Sequence, residues 1–111
     1  MFVSGHRKND LFSLRLHEAI AAKLQADPDK VLRKARENLA ALRGRPNESY
    51  YVREWDRLLH SPLERLLAVL VEDSEYATAL RHTTPFFGVV PPKENWAIHR
   101  AAVEEWRHAT R

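Results

Sequence analysis

Residues 61–72 read Ser61-Pro62-Leu63-Glu64-Arg65-Leu66-Leu67-Ala68-Val69-Leu70-Val71-Glu72. The first four residues are typical of a helix start. A serine can cap the first turn, proline tolerates the first helical position, and a glutamate three residues after the serine completes a capping box. The helix that follows, Pro62 to about Glu72, is apolar on most of its circumference. Such a helix is usually buried on several sides, so we expect it to form the centre of the core.

Helical periodicity and helix-ending residues extend this pattern along the chain, and strand signals are nearly absent. The helices are predicted to run from about Asp10, from Pro28 (capped by Asp27) to before Gly44, from Glu48 (capped by Asn47) to about His60, from Pro62 to about Glu72, from Glu75 (capped by Asp73 or Ser74) to about His82, and from Pro92 onward. The sequence therefore predicts an all-α fold. We expect one compact bundle of five to six short helices over residues 10–111, after a flexible tail at residues 1–9.

Two further expectations concern side chains within these helices. In the fifth helix, Tyr76 and Leu80 are expected to face inward, while Arg81 stays in solvent. The aromatic residues recur at helical spacings, which favours core positions for most of them, Trp96 included. Tyr50 is the exception, because it shares a face with Arg53 and Arg57 that points away from the apolar side of its helix. Tyrosine and arginine are enriched at protein interfaces, so this face is a candidate partner surface.

The amino-acid composition limits the classes of protein to which this chain can belong. The 111 residues are 44% hydrophobic, which suits a single globular domain. No apolar run approaches the roughly 20 residues that span a bilayer, and residues 1–8 lack the apolar centre of a signal peptide. The chain has no cysteine, which excludes disulfides and thiolate metal sites. We expect a cytoplasmic protein with no membrane partner.

The residue types that carry catalysis are present but scattered. Six histidines are never spaced i, i+4, and His17, His60 and His82 are interpreted as residues at helix ends or boundaries. The three glycines form no phosphate-binding loop. Neighbouring carboxylates such as Glu104 and Glu105 diverge on a helix. We therefore predict no catalytic, cofactor-binding or metal-binding residues, and no enzymatic activity.

The N-terminal half is mildly basic. Residues 1–49 contain ten Lys or Arg and six Asp or Glu, whereas residues 50–111 contain eight and nine. The second helix offers side chains that could reach DNA: Lys30, Arg33, Lys34, Arg36 and Asn38. Two hypotheses stay open for this helix. In the first, the helix contacts DNA, although the turn before it is shorter than the three to four residues usual in helix-turn-helix motifs. In the second, its interleaved acidic residues indicate an ordinary solvated face.

The loop between the last two helices is unusual, because residues 83–92 are mostly apolar and carry no charge. Loops normally expose their backbone to water and are polar, so this one must pack onto its own domain or be covered by a partner. We expect one of Phe86 and Phe87 to enter the core between the fourth and sixth helices. The other, with Val89 and Val90, is expected to stay outside for a partner, while Gly88 fits the turn.

Four stretches together resemble a family: Leu16-His17-Glu18-Ala19-Ile20-Ala21, Tyr51-Val52-Arg53-Glu54-Trp55-Asp56-Arg57-Leu58-Leu59, Pro62-Leu63-Glu64-Arg65-Leu66-Leu67 and Leu80-Arg81-His82-Thr83-Thr84-Pro85-Phe86-Phe87-Gly88-Val89. Over roughly residues 13–100 the chain resembles small helical bacterial proteins, common in actinobacteria, with a Pro-Phe-x-Gly-Val loop followed by a Trp-Ala-Ile helix. Some of them are described as antitoxins or as partners encoded beside a toxin gene. The resemblance implies a protein that presents a complementary surface to a toxin and needs no catalysis.

These observations lead to one functional prediction and two alternatives. We expect a protein-binding module, an antitoxin that neutralises its cognate toxin by occlusion, through Tyr50, Arg53, Arg57, Phe86, Phe87, Val89 and Val90. The first alternative is a DNA-binding transcriptional regulator that uses Lys30, Arg33, Lys34 and Arg36 on its own operator. The second is a structural domain that forms homo-oligomers.

Overall fold

A computed structural model describes residues 8–44 and 49–109. Over these ranges the chain forms six α-helices: α1 Lys8–Ala26, α2 Pro28–Ala40, α3 Tyr50–Leu59, α4 Leu63–Leu70, α5 Glu75–His82 and α6 Pro92–Ala109. The same ranges contain no β-strand. The predicted all-α fold is therefore confirmed. Helix α1 begins two residues before the expected start at Asp10, and residues 1–7 of the predicted tail lie outside the described ranges.

Side-chain caps set three of the helix starts. The Lys30 amide donates to the Asp27 carboxylate at the start of α2 (3.4 Å), and the Ala77 amide donates to the Ser74 hydroxyl at the start of α5 (3.0 Å), both as predicted. Helix α3 is capped by Ser49, whose hydroxyl accepts from the Val52 amide. The expected cap Asn47 lies outside the described ranges. Satisfying first-turn amides in this way stabilises each helix by about 1 kcal/mol.

The capping box predicted at Ser61 is not formed. The Ser61 hydroxyl donates to the Leu58 carbonyl at 2.6 Å, so it closes the end of α3. Pro62 occupies the cap position of α4, which has no side-chain cap and begins at Leu63. The prediction was wrong because a carbonyl at the end of α3 competes for the same hydroxyl, and orphan carbonyls at a helix end need donors as much as orphan amides need acceptors.

The centre of the bundle is α1 and not the expected α4. Helix α1 packs against α2, α4, α5 and α6, and it buries Ile20 and Leu24 completely. Its 19 residues extend about 28 Å, which is long enough to contact four neighbours. Helix α4 has only 8 residues, and it leaves Val71 at its end exposed. A strongly apolar helix therefore forms one side of the core here, because it is too short to be enclosed.

Helix α6 packs against α1 and against no other helix of the described ranges. The Arg15 guanidinium binds both carboxylate oxygens of Glu105 (2.8 and 2.6 Å), and Lys23 pairs with Glu94 at 3.0 Å. Only Ala102 of α6 is fully buried. Trp96 is 61% exposed, so its expected place in the core is wrong. One face of a single helix is too narrow to cover every apolar residue of α6.

Arg81 is buried and not exposed as expected. Its guanidinium donates to the carbonyls of Leu70 and Glu72 (both 3.1 Å) and to the Thr78 hydroxyl (3.3 Å). Burial lowers the pKa of Arg81, and nearby carboxylates, Asp10 first among them, oppose this shift. The side chain is drawn inward because the last carbonyls of α4 have no helical partner and a cation near a helix C-terminus is favourable.

Trp55 of α3 joins the core to the loop before α6. Its indole N–H donates to the Leu80 carbonyl at 2.9 Å, and the Phe86 ring packs edge-on against it with centroids 5.7 Å apart. Phe86 is 1% exposed and Phe87 is 51% exposed. The expectation of one inward and one outward phenylalanine is confirmed. Phe86 enters the core against α3, however, and not between the fourth and sixth helices.

This packing predicts unequal effects of two adjacent substitutions. Phe86→Ala should lower the free energy of unfolding by about 3–5 kcal/mol, since it empties a filled core position. Phe87→Ala should lower it by less than about 1 kcal/mol, because half of that ring already contacts solvent. Urea unfolding followed by Trp fluorescence measures both values. Equal losses of stability would contradict the assignment of the inward ring.

Candidate functional site

The segment between α5 and α6, residues 83–91, is called here the Phe87 loop. The side-chain amide of Asn38 donates two hydrogen bonds to it, one to the Pro85 carbonyl and one to the Phe87 carbonyl, both at 2.8 Å. Asn38 is buried on α2, so these bonds form away from water, where unpaired carbonyls would be costly. Asn38 therefore holds the loop and is not available to DNA bases, contrary to one of the hypotheses for α2.

A second set of hydrogen bonds reaches the loop from α1. The His17 Nδ1 lies 2.7 Å from the Ser13 carbonyl, and its Nε2 lies 2.9 Å from the Thr84 hydroxyl. Because a carbonyl only accepts, Nδ1 carries the proton and Thr84 donates to Nε2. The Thr84 oxygen in turn accepts from the Phe86 amide at 3.1 Å. This chain of bonds fixes the backbone of the residue whose ring fills the core.

His17 is fully buried in the middle of α1, so its interpretation as a helix-end residue is wrong. Burial lowers its pKa to about 4. The bond to Ser13 opposes this shift, whereas the neighbouring positive charges of Arg81 and His82 add to it. The imidazole is therefore neutral at neutral pH, as its bond with the Thr84 hydroxyl requires. The spacing of residues along α1 does not reveal that His17 is buried, because its side-chain partner Thr84 is distant in sequence.

The loop ends in a tight turn. The Val89 amide donates to the Phe86 carbonyl at 3.2 Å, and Gly88 has a φ of +83°, which residues with a side chain rarely adopt. Val90 is buried and Val89 is half-buried. Of the loop residues predicted to meet a partner, Phe86 and Val90 are therefore unavailable, because both pack into the core. Phe87 remains as the large exposed side chain.

Two recesses flank the Phe87 loop, and Gly88 lines both. The first, called here the aromatic groove, has a volume of about 490 Å³ and is lined by Phe12, Gly88, Val90, Pro92, Asn95, Trp96 and His99. Trp96 stacks on His99 with centroids 5.9 Å apart, and the edge of Phe12 meets the same imidazole. The groove therefore places the exposed Trp96 ring of α6 beside Gly88 and Val90 of the loop.

The second recess, called here the cationic cleft, has a volume of about 600 Å³ and separates the loop from the junction of α1 and α2. It is lined by Lys23, Ala26, Asp27, Lys30, Val31, Arg33, Lys34, Glu37, Gly88, Val89 and Pro91. Three of the four residues considered for DNA binding come together here, whereas Arg36 does not line the cleft. A single residue, Asp27, separates α1 from α2, a shorter turn than helix-turn-helix motifs use.

The predicted Tyr50 face is a separate surface. Tyr50 is 53% exposed and packs edge-on against Tyr51. Arg57 binds both oxygens of the Glu54 carboxylate (3.0 and 2.8 Å), which also accepts from the Tyr76 hydroxyl. The bond to Arg57 lowers the pKa of Glu54. Tyr50, Arg53 and Arg57 line neither the aromatic groove nor the cationic cleft.

Two other features, a metal site and a membrane-spanning helix, are absent from the described residues. Across residues 8–44 and 49–109, no three His, Asp or Glu side chains lie close enough together to hold one metal ion. None of the helices described combines the length and the apolar composition that crossing a membrane requires. No protein-family model, curated protein or solved structure matches this chain. The surfaces around the Phe87 loop are therefore the basis for proposing a function.

The double hydrogen bond from Asn38 predicts a stability effect. Asn38→Ala should lower the free energy of unfolding by about 2–3 kcal/mol, because it leaves two loop carbonyls without a donor. Asn95→Ala is the control, since it removes an asparagine from α6 that donates to neither carbonyl, and its effect should stay below about 0.5 kcal/mol. Urea unfolding measures both. Similar small losses would show that the amide does not hold the loop.

The lowered pKa of His17 predicts a pH dependence. As pH falls, the unfolded chain, whose histidines keep a pKa of about 6.5, binds a proton before the folded protein does. The free energy of unfolding should therefore decrease from pH 6.5 toward 4, by up to about 3 kcal/mol. His17→Gln should lack this component while it retains the contribution of the carboxylates. Parallel pH profiles for the two proteins, from urea unfolding, would contradict the buried neutral imidazole.

Proposed function

We propose that this chain is a protein-binding module whose contact surface is centred on Phe87. One observation carries the proposal: Phe87 is 51% exposed, while the backbone on both sides of it is fixed by hydrogen bonds from Asn38 and through Thr84. In the free protein, the rigid loop holds this large aromatic side chain in water, where hydration of its apolar surface is unfavourable. Binding of a partner would remove that cost.

The rigidity of the loop favours binding for an entropic reason. Ordering a flexible interface side chain or loop costs free energy on association, and a loop already held in its bound conformation avoids most of that cost. Aromatic residues also contribute most often to the few contacts that dominate binding energy. Trp96 is also exposed, and it lines the aromatic groove that reaches the loop at Gly88 and Val90. Together these residues resemble the centre of an interface with a more polar rim.

We propose further that the partner is a toxin and that the module acts by covering it. The resemblance of residues 13–100 to antitoxin-like bacterial proteins supports this identity. So does the loop chemistry, since occlusion requires a complementary surface and no reacting groups. The Tyr50 face, which lines neither recess beside the loop, would contribute a second contact with the same partner.

Co-expression with the product of the neighbouring gene tests the proposal. We expect a stable complex, and Phe87→Ser should raise its Kd by about thirtyfold or more, which corresponds to the loss of one dominant interface residue. Calorimetric titration of the purified proteins measures the change. Val71→Ser is the matched control, because Val71 is an exposed apolar residue at the end of α4, and it should leave the Kd unchanged.

Two results would contradict the proposal. An unchanged Kd for Phe87→Ser would remove the Phe87 loop from the interface. Absence of any complex with the adjacent gene product would remove the toxin as partner. Circular dichroism of both variants establishes that each remains folded, so that loss of binding is not loss of structure.

A further inference from the structure

The cationic cleft is lined by basic side chains of α2 that form no ion pair within the described residues. Lys30, Arg33 and Lys34 lie at i, i+3 and i+4 on one side of α2, and all three line the cleft. None of the three forms an ion pair with a carboxylate of residues 8–44 or 49–109. In contrast, Lys23 at the far side of the cleft is paired with Glu94 at 3.0 Å. Three cations that line one recess and have no carboxylate partner in the described part of the chain favour an anionic ligand.

The carboxylates of the cleft do not neutralise this charge. One oxygen of Asp27 is occupied as the cap of α2, where it accepts from the Lys30 amide. Glu37 lies one turn beyond Arg33 and forms no ion pair with either Arg33 or Lys34 in the described residues. Because Lys23 is already paired with Glu94, the three basic residues of α2 face two acidic ones, which leaves one excess positive charge along α2.

The floor of the cleft is apolar. Val31 is buried beneath the three cations, and Val89 and Pro91 of the Phe87 loop form the opposite side. Gly88 lies between these two sides, and its φ of +83° is the reason that a glycine stands at this position. The recess has a volume of about 600 Å³ and combines an apolar floor with cations along one edge. That combination suits a ligand with both an apolar side chain and neighbouring negative charges.

We propose that the cationic cleft binds an acidic segment of the partner protein. Carboxylates of that segment pair with Lys30, Arg33 and Lys34, and an apolar side chain rests between Val31 and Val89. This inference deepens the proposed function and rests on it in taking the partner to be a protein. A nucleic acid fits less well, because the apolar floor formed by Val31, Val89 and Pro91 offers its sugar-phosphate backbone nothing to bind.

Selection from a random-peptide display library on the immobilised full chain tests the proposal. Selected peptides are expected to be enriched in Asp and Glu beside an apolar residue. The best peptide, synthesised with a fluorophore, should bind Arg33→Glu about tenfold more weakly than the unaltered chain, because an ion pair becomes a repulsion. Arg36→Glu is the matched control. It reverses an exposed arginine on the same helix that does not line the cleft, so binding should stay within about twofold.

Three results would overturn the proposal: selected peptides without acidic enrichment, equal weakening by Arg33→Glu and Arg36→Glu, or selection of no peptide while a DNA duplex binds through Arg33 with steep salt dependence. The peptide assay does not depend on the Phe87 surface. Phe87 does not line the cleft, so Phe87→Ser should leave peptide binding within about twofold. A failed complex with the toxin and a failed cleft are therefore distinguishable.

Discussion

The side-chain amide of Asn38 bridges two carbonyls of a loop that is otherwise apolar, and the arrangement of the surface depends on this contact. Pro85 has no amide hydrogen, and Phe86 directs its ring into the core, so the loop has few ways to satisfy its own backbone. Asn38 supplies both missing donors from one buried position on α2. Because unpaired carbonyls in such a place would be expensive, the loop has a strong reason to keep one conformation.

That conformation accounts for what lies on either side of the loop. With Phe86 against Trp55 and Val90 in the core, Phe87 and Gly88 between them are exposed. Gly88 and Val90 line the aromatic groove with Trp96 and His99, whereas Gly88 and Val89 line the cationic cleft beside the basic side of α2. An apolar contact and a cationic contact are thereby placed next to each other on a rigid support. The two proposals assign these contacts to one partner.

The sequence predicted the fold well wherever the signal was local. Asp27 and Ser74 act as caps because each needs only amides within three residues, and the mostly apolar loop correctly indicated one buried and one exposed phenylalanine. Errors arose where the open end of a preceding helix competed for the side chain. Ser61 donates to the Leu58 carbonyl at the end of α3 and does not cap the amides of α4, and Arg81 was drawn inward by the open end of α4.

The site itself was predicted only in part, because the side chains that hold the loop come from distant parts of the sequence. Phe87 was among the expected contact residues, but Asn38 and His17, which hold it in place, gave no signal, since their partners lie 47 and 67 residues away. The cluster of Lys30, Arg33 and Lys34 was visible as a helical spacing. The closeness of Val89 and Pro91 to this cluster was not visible in the sequence, because it depends on how the loop folds back over α2.

Amide hydrogen exchange within the Phe87 loop tests most directly whether it is held in one conformation. The Phe86 and Val89 amides donate to the Thr84 hydroxyl and to the Phe86 carbonyl, so both should exchange at least about a hundredfold more slowly than in an unstructured peptide. Nuclear magnetic resonance of the full chain resolves each amide separately. Exchange of both amides at nearly unprotected rates, while core amides such as that of Leu66 stay protected, would contradict a rigid loop that presents Phe87.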